Sequence, residues 1–381
     1  MTVVSNVMDN PSAFWVVNSL FVFALSVFCA GVLIPQILLI SFRKRLFDVP
    51  DERKIHQGVV PRLGGIAFKP VVFFSVALAL GLNMLLGYGQ LLGNIGSESR
   101  PLAFGFCTIM MLYLVGMADD LIGIRYRAKF AIQIICGLLV IAGGLWINNL
   151  HGLLFIHALP EWIGYPITLF AVVFIINAIN LIDGIDGLAS GLCGVAMLFY
   201  GLVFFIIGEY IYALLAFATL GVLVPFFYYN VFGDPAKKNK IFMGDTGSLT
   251  IGMMTCILSL KLLNGFPVNP SMQQPNAFFL AYSPLIIPCF DVVRVYLHRV
   301  RNGKNPFLPD KNHIHHKMLA VGMRQRTVMI AIVLVSVCFT LCNILLSRYI
   351  NVTLLLILDI FIWTLGNLWL TRRIHIAHSK L

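Results

Sequence analysis

The chain has 381 residues, of which 59% are hydrophobic and 11% are charged, and its formal net charge is +11. Soluble domains carry about 25% charged residues, so this composition excludes a protein whose surface faces mainly water. The positive charge does not require nucleic acid as a partner, because the cytoplasmic loops of membrane proteins collect Lys and Arg.

Long apolar runs predict a polytopic membrane protein. Each crossing needs about 20 residues, and helix is the expected form because lipid offers the backbone no hydrogen-bond partners. We therefore predict an all-α bundle of about eleven transmembrane helices, forming a single domain over residues 1–381. The predicted spans are 13–41, 64–86, 101–118, 128–147, 163–179, 187–208, 210–229, 247–263, 278–298, 324–347 and 353–371.

The eight cysteines are scattered through apolar runs without a CxxC pair. This pattern predicts neither a disulfide framework nor a zinc site. The first fifteen residues lack a basic segment, so we expect no cleaved signal peptide.

The positive residues gather in alternate loops. The opposite set of loops holds little beyond Arg100, Lys261 and Arg348, so the positive set is predicted to be cytoplasmic, with the N-terminus outside and the C-terminus inside. Nearly all Asp and His residues share the positive loops, and we therefore expect the chemistry on that face. The predicted catalytic loops are 42–63, 119–127, 180–187, 230–247 and 299–323.

The first polar stretch of this face is RKIHQGVVPRLGG, from Arg53 to Gly65. It mixes cations such as Lys54 with three glycines, as in a loop that binds phosphate through its backbone. The alternative is a basic loop that serves only topology.

The second stretch carries Asp119 and Asp120 at the end of the third predicted span. Adjacent carboxylates repel each other unless a cation lies near them. Arg127 and Lys129 can supply that cation, and so can Mg²⁺ bound to a diphosphate. The alternative is a solvated helix end.

The third stretch is NAINLIDGIDGLASG, in which Asp183 and Asp186 stand three residues apart. On a helix this spacing places both side chains on one face, and Asn177 and Asn180 repeat it one turn earlier. A carboxylate in hydrocarbon costs at least about 2.5 kcal/mol, so these groups are expected to face a cleft and bind a ligand. An EF-hand is excluded because its third acidic ligand and closing Glu are missing.

The fourth stretch, KKNKIFMGDTGSLTIG, places Asp245 in a Gly-rich turn that opens a helix. Such turns bind anions through backbone N–H groups, and a carboxylate there favours a metal together with a phosphate. Phe242 can stack on a base, or it can be ordinary packing.

The fifth stretch, NPFLPDKNHIHHKML, holds His313, His315 and His316. A solvated loop and a zinc site are the alternatives. Zinc usually takes Cys ligands, and this loop has none, so contact with phosphate or sugar is the favoured interpretation.

Together the five stretches place five carboxylates, several cations and three histidines on one membrane face. Hard carboxylate ligands without thiolate favour Mg²⁺, with Mn²⁺ as the alternative. A metal that bridges a diphosphate, cations that hold it and an acid near the nucleophile are the equipment for phosphoryl transfer.

These motifs, in this order, resemble the polyprenyl-phosphate N-acetylhexosamine-1-phosphate transferases of glycosyltransferase family 4. The resemblance covers the chain from Arg53 to about Leu319 and rests on NAINLIDGIDGLASG, the Asp119–Asp120 pair, MGDTGS and HIHH. The form PDKNHIHH most resembles the branch that uses UDP-GlcNAc and undecaprenyl phosphate, rather than the peptidoglycan branch with its HHH run.

The resemblance implies an eleven-span fold and a reaction in which UDP-GlcNAc and undecaprenyl phosphate give GlcNAc-diphospho-undecaprenol and UMP. This is the first membrane step of cell-envelope polysaccharide synthesis. It further implies a multi-pass protein of the bacterial cytoplasmic membrane with lipid, but not nucleic acid, as a partner. A homodimer is left open.

The resemblance also implies residue roles. Asp119, Asp120 and Asp245 would be catalytic, with Asp245 and Asp120 holding the metal and Asp119 acting at the lipid phosphate. With the motifs above, the expected substrate-binding residues are Lys54, Arg127, Lys129, Asn177, Asn180, Asp183, Asp186, Phe242, His313, His315 and His316.

One departure from the family leaves a role open. Many members carry Lys nine positions into the Asp-Asp motif, where this chain has Arg127, with Lys129 two residues later. Which of the two contacts phosphate is not decided by the sequence.

Other functions stay open at this point. Another UDP-N-acetylhexosamine can be the donor, and a two-step route through an aspartyl intermediate competes with direct attack. Intramembrane acids also suit a proton-coupled transporter, although here they cluster at one face and no internal repeat is visible. An aromatic prenyltransferase would need DDxxD-like runs, which DDLIG and DGIDG do not provide.

Overall fold

The computed structural model describes residues 11–46, 60–89, 98–265, 275–305 and 312–378. Within these ranges every regular element is helical, which confirms the predicted all-α bundle. The α-helices of this part of the chain are α1 (Pro11–Lys44), α2 (Phe68–Leu85), α3 (Ser99–Ile122), α4 (Tyr126–Ala142), α5 (Glu161–Ile182), α6 (Leu188–Ile206), α7 (Tyr210–Val231), α8 (Gly244–Gly265), α9 (Ala277–Tyr282), α10 (Ile286–Arg301), α11 (Ile314–Ala320), α12 (Gln325–Leu346) and α13 (Val352–His378).

Ten segments of the described chain are long and apolar enough to cross a membrane. They coincide with ten of the eleven predicted spans. The remaining one, 128–147, is occupied by α4, which has only 17 residues. Its predicted C-terminal end was wrong, because Gly143 and Gly144 follow the helix and Gly144 takes the left-handed φ of 91° that favours glycine. The orientation of the termini and the single-domain organisation stay predictions.

Helix α8 is the centre of the bundle. Its apolar window is completely buried, although its sequence contains several hydroxyl groups. Thr250 and Thr255 donate these hydroxyls to the carbonyls four residues earlier, at 2.5 and 2.7 Å. The hydroxyls are thereby satisfied inside the helix, and α8 can be surrounded by apolar neighbours.

The first turn of α8 is held by close backbone contacts. The N–H groups of Gly64 and Gly65 donate to the carbonyls of Phe242 and Met243, each at 3.0 Å. On the other side, Gly116 of α3 lies so near that a Cβ atom would stand 2.5 Å from the Cα of Thr246. Only glycine permits this approach, which brings the end of α3 against the start of α8.

The α5–α6 turn and the start of α11 lie at the same side of the bundle. The turn between α5 and α6 carries Asp183 and Asp186. The short helix α11 begins beside Asp291 of α10, which accepts the N–H of Ile314 at 2.9 Å. All five polar stretches of the sequence analysis have described residues at this end.

We predict that Gly116→Ala destabilises the protein by about 1–3 kcal/mol, because the added methyl group meets backbone rather than a movable side chain. Thermal unfolding in a single detergent measures the change. Gly105→Ala is the matched control, since Gly105 lies on the same helix and its Cβ would meet only the flexible end of Ile257 at 3.4 Å. Equal midpoints for the two variants would contradict the close-contact explanation.

Candidate active site

Asp120 caps the N-terminus of α8. Its Oδ1 accepts the N–H of Asp245 at 2.8 Å, and its Oδ2 accepts the N–H and hydroxyl of Thr246 at 2.8 and 2.6 Å. The first N–H groups of a helix have no partner within the helix, and a carboxylate is also favoured there by the helix dipole. Asp120 therefore fixes the backbone of Asp245.

Asp119 and Asp245 share the ammonium group of Lys129. Its Nζ lies 3.0 Å from Oδ2 of Asp119 and 2.6 Å from Oδ2 of Asp245. The other oxygens are also engaged: Ile124 N–H donates to Asp119 at 2.7 Å, and the Asn180 amide donates to Asp245 at 3.1 Å. The carboxylates of the predicted second and fourth stretches are thus brought together.

The ambiguity between Arg127 and Lys129 is resolved at the level of geometry. Arg127 is exposed, donates its Nε–H to the hydroxyl of Tyr126 at 3.1 Å, and lies over the same ring. Lys129 is the cation that reaches the carboxylates. Substrate contact by either residue stays a prediction.

Asp183 and Asp186 face the same space as the other three carboxylates, and we name these five residues the acidic cleft. Desolvation raises the pKa of Asp183 to about 7, and the negative charges of Asp245 and Asp186 add to the effect. Asp186 pairs with the buried Lys240 at 2.5 Å. The cleft therefore keeps a carboxyl group that titrates near neutrality.

Asn177 and Phe242 are both half-buried near the cleft. Asn177 donates its amide to Gln133 at 2.6 Å, one helical turn before Asn180, which also donates to Ser248 at 2.8 Å. Phe242 is half-buried, and its N–H donates to the carbonyl of Pro61 at 2.9 Å. The proposed stacking of Phe242 on a base stays a prediction.

The three histidines form one cluster of rings. His313 donates from Nδ1 to the buried carboxylate of Asp291 at 2.8 Å. The rings of His313 and His315 stack at 5.7 Å, and those of His315 and His316 lie 4.2 Å apart. Arg294 also donates to Asp291, at 2.8 Å, and so helps to hold the carboxylate that positions His313.

His315 connects this cluster to the acidic cleft. Its ring packs directly over Gly184, where a Cβ atom would meet Cε1 of the imidazole at 2.7 Å. Burial lowers the pKa of His315 to about 3, and the neighbouring His316 contributes. Neither ring nitrogen finds a hydrogen-bond partner within the described residues. His315 is thus a neutral, buried imidazole whose two ring nitrogens lack a hydrogen-bond partner among the described residues.

Some site residues were absent from the sequence predictions. Lys240, Asp291 and Arg294 are the buried charges that hold Asp186 and His313, and Asn230 anchors the α5–α6 turn by accepting the N–H of Gly187 at 2.7 Å. A single acid inside an apolar helix was the available signal for Asp291. The predicted phosphate contact of Lys54 lies outside the described residues.

The acidic cleft suits a divalent cation that is shared with a ligand. Among the described residues no group of three or more His, Cys, Asp or Glu side chains forms a complete metal site. Mg²⁺ is commonly bound by one or two carboxylates plus substrate phosphates, and the Asp119–Asp245 pair meets that requirement. Asp119 and Asp245 share one cation, Lys129, whereas all three hydrogen bonds of Asp120 come from the first residues of α8, so the geometry favours Asp119 over Asp120 as the second ligand.

Comparison with known proteins gives a consistent result. The sequence model described as glycosyl transferase family 4 matches residues 102–263, a range that includes the Asp-Asp pair, the α5–α6 turn and the first turn of α8.

Three curated relatives illustrate the similarity. An undecaprenyl-phosphate alpha-N-acetylglucosaminyl 1-phosphate transferase of Yersinia pestis is 30% identical over 81% of this chain and 79% of its own length. A probable undecaprenyl-phosphate N-acetylglucosaminyl 1-phosphate transferase of Bacillus subtilis is 30% identical over 89% of this chain and 88% of its own length. A transferase of Escherichia coli K12, with the same name as the Yersinia protein, is 31% identical over 76% of this chain and 74% of its own length.

We predict that Asp183→Asn stabilises the protein at alkaline pH. The folded-state pKa near 7 lies above the ordinary aspartate value of 3.8, so the wild type loses stability as the pH rises from the unfolded-state pKa to the folded-state pKa, whereas Asn does not titrate. By linkage the variant gains about 1.4 kcal/mol per pH unit relative to the wild type between about pH 4 and about pH 7, and the gain stays constant above about pH 8. Unfolding midpoints of both proteins across this range measure it, and a difference that does not change with pH would contradict the raised pKa.

Proposed function

The chain belongs to glycosyl transferase family 4, and on this premise we propose that it transfers N-acetylglucosamine 1-phosphate from UDP-GlcNAc to undecaprenyl phosphate. The products are GlcNAc-diphospho-undecaprenol and UMP. The names of the relatives, which match over more than two thirds of their length, support undecaprenyl phosphate as the acceptor and N-acetylglucosaminyl 1-phosphate as the transferred group. The UDP-sugar donor is implied by that type of reaction.

One observation carries the proposal. Five carboxylates from three separate segments converge at one end of a helical membrane bundle, with Lys129 between two of them. A soluble nucleotide sugar and a lipid phosphate can meet only near the membrane surface, and this end of the bundle offers polar groups there.

The residues present fit Mg²⁺, with Mn²⁺ as the alternative. We propose that Asp245 and Asp119 hold the ion, while Asp120 orients Asp245 through the start of α8. When bound, the ion supplies charge neutralisation for the diphosphate. The earlier assignment of Asp120 as a direct ligand stays a prediction that this geometry favours less.

The chain's own cations and dipoles complete the charge balance. Lys129 is positioned to contact a phosphate oxygen, and the N-terminus of α8 adds partial positive charge at the same place. His315 and His316 lie beside Gly184 on the other side of the cleft, where their ring N–H groups can hold the diphosphate or the sugar. Preorganised donors of this kind usually supply the largest part of the rate enhancement.

We further propose direct attack of the lipid phosphate oxygen on the β-phosphorus of the donor, with UMP as the leaving group. All four carboxylate oxygens of Asp119 and Asp245 accept hydrogen bonds or an ion pair. Such engagement weakens a carboxylate as a nucleophile, which disfavours the two-step route through an aspartyl intermediate.

The membrane location and partners follow from the same premise. We propose a multi-pass protein of the bacterial cytoplasmic membrane, in which the acidic cleft opens to the cytoplasm. Transport by proton coupling is less consistent with the structure, because the carboxylates stand at helix ends instead of the midplane where transporters bind substrate. A homodimer and another UDP-N-acetylhexosamine donor stay open as finer alternatives.

The proposed reaction is tested by measuring UMP release from purified protein. We expect release only when UDP-GlcNAc, undecaprenyl phosphate and Mg²⁺ are all present, because the acceptor is the nucleophile. A panel of UDP-sugars identifies the donor. UMP release that does not depend on the lipid acceptor would contradict the proposed transfer.

We predict that Asp245→Ala lowers turnover by a factor on the order of 10² or more, since it removes the carboxylate that holds the ion. Raising the Mg²⁺ concentration should not restore turnover. Asp234→Ala is the matched control: Asp234 lies in the same loop and caps the turn at Ala236, at 2.9 Å, outside the cleft. Normal turnover by the Asp245 variant would remove the metal assignment.

A further inference from the structure

We propose that Lys129 is a displaceable counter-ion that makes metal binding depend on the nucleotide. Its ammonium group contacts the oxygens that a divalent cation requires. A nucleotide diphosphate offers the ammonium group another partner and so frees the carboxylates. This inference rests on the proposed function and specifies how its site is loaded.

The geometry places Lys129 in direct competition with a metal. Its Nζ donates to Oδ2 of Asp119 at 3.0 Å and to Oδ2 of Asp245 at 2.6 Å. The second oxygen of each carboxylate is held by Ile124 or Asn180. An ion shared by the two carboxylates therefore needs the atoms that Lys129 holds.

The charge balance explains why the competition is effective. One ammonium for two carboxylates leaves a net charge of −1 at the pair. A divalent ion added beside Lys129 would bring two cations into one partly buried site, because the side chains of Lys129, Asp119 and Asp245 are only 24%, 16% and 26% exposed. Such like-charge contact is unfavourable where water screens weakly.

A diphosphate reverses this balance. It brings at least two negative charges, which compensate both the divalent ion and the ammonium group. Lysine is suited to the move because it is a point charge on a flexible four-carbon stem, with three donors that can reorient. Lys129 also lies in the first turn of α4, directly after the loop from α3.

Among the described residues, neither Arg127 nor Lys240 replaces Lys129 in this role. Arg127 is directed to Tyr126 and away from the cleft. Lys240 is paired with Asp186 at 2.5 Å. Asp120 does not contact Lys129, and its oxygens accept hydrogen bonds from the start of α8 instead.

The consequence is positive coupling between metal and nucleotide. By thermodynamic linkage, each ligand raises the affinity for the other by the same factor, and couplings between two sites are typically about 5- to 150-fold. Removal of the ammonium group should raise metal affinity in the nucleotide-free protein and reduce this factor toward one.

The test measures Mn²⁺ binding to purified protein by electron paramagnetic resonance of the free ion. Titrations are made without nucleotide and with UDP-GlcNAc, in the absence of lipid acceptor, and Mn²⁺ bound by the nucleotide alone is subtracted. Lys129→Met and Lys129→Gln both remove the positive charge, and the Gln variant keeps a hydrogen-bond donor at this position. Lys304→Met removes an exposed positive charge elsewhere and is the matched control.

We expect the wild type and the Lys304 variant to bind Mn²⁺ at least roughly tenfold more tightly with UDP-GlcNAc than without it. Both Lys129 variants should bind Mn²⁺ tightly in either condition. Nucleotide-free affinity in these variants that is unchanged or weaker overturns the inference alone. Absence of Mn²⁺ binding by the wild type in both conditions overturns the inference together with the metal assignment, whereas acceptor-dependent UMP release tests the transferase separately.

Discussion

The Asp120 carboxylate at the start of α8 is the interaction on which the site depends. A helix that is buried along its whole apolar window still exposes unpaired N–H groups at its first turn, and here those groups meet a carboxylate from α3 at 2.8 Å. The glycine contact at Gly116 permits the two helix ends to approach this closely. Because Asp120 is directed into α8, the adjacent Asp119 faces the cleft and meets Asp245 across Lys129. Of the two neighbouring acids, Asp120 therefore holds the start of α8, and Asp119 faces the cleft.

The same arrangement leaves the cleft short of positive charge. Lys129 is shared by two carboxylates, and Lys240 is committed to Asp186. Asp183 pairs with no lysine among the described residues; burial and the charges of Asp245 and Asp186 raise its pKa to about 7, although the charge of Arg62 opposes the shift. Sites that bind charged ligands commonly hold such unfavourable electrostatics in their free state. The ligand then relieves a repulsion that the folded chain already contains, and part of its binding energy comes from that relief.

Much of the architecture was accessible from the sequence, because apolar runs of membrane length leave few alternatives to helices. The one-sided distribution of acids and histidines also predicted which loops would meet. Roles within motifs were less accessible. Hydropathy cannot tell which of two adjacent acids faces the cleft, so Asp119 and Asp120 were not separated. Asp186 finds Lys240, 54 residues away, and Asp291 lies beneath His313 from another helix. Such pairs are determined by how the helices pack, and a local sequence pattern does not show that packing.

The short helix α4 has a consequence for how the protein meets its surroundings. Its 17 residues extend for about 26 Å at 1.5 Å per residue, less than the roughly 30 Å thickness of bilayer hydrocarbon. A span shorter than the hydrocarbon is accommodated by local thinning of the bilayer, by flanking side chains that reach the interface, or by oligomerisation. Thinning would draw the phosphates of the nearby leaflet inward at the end of α4 where Lys129 stands. A lipid head group there would approach the carboxylates by lateral diffusion, without being lifted out of its leaflet.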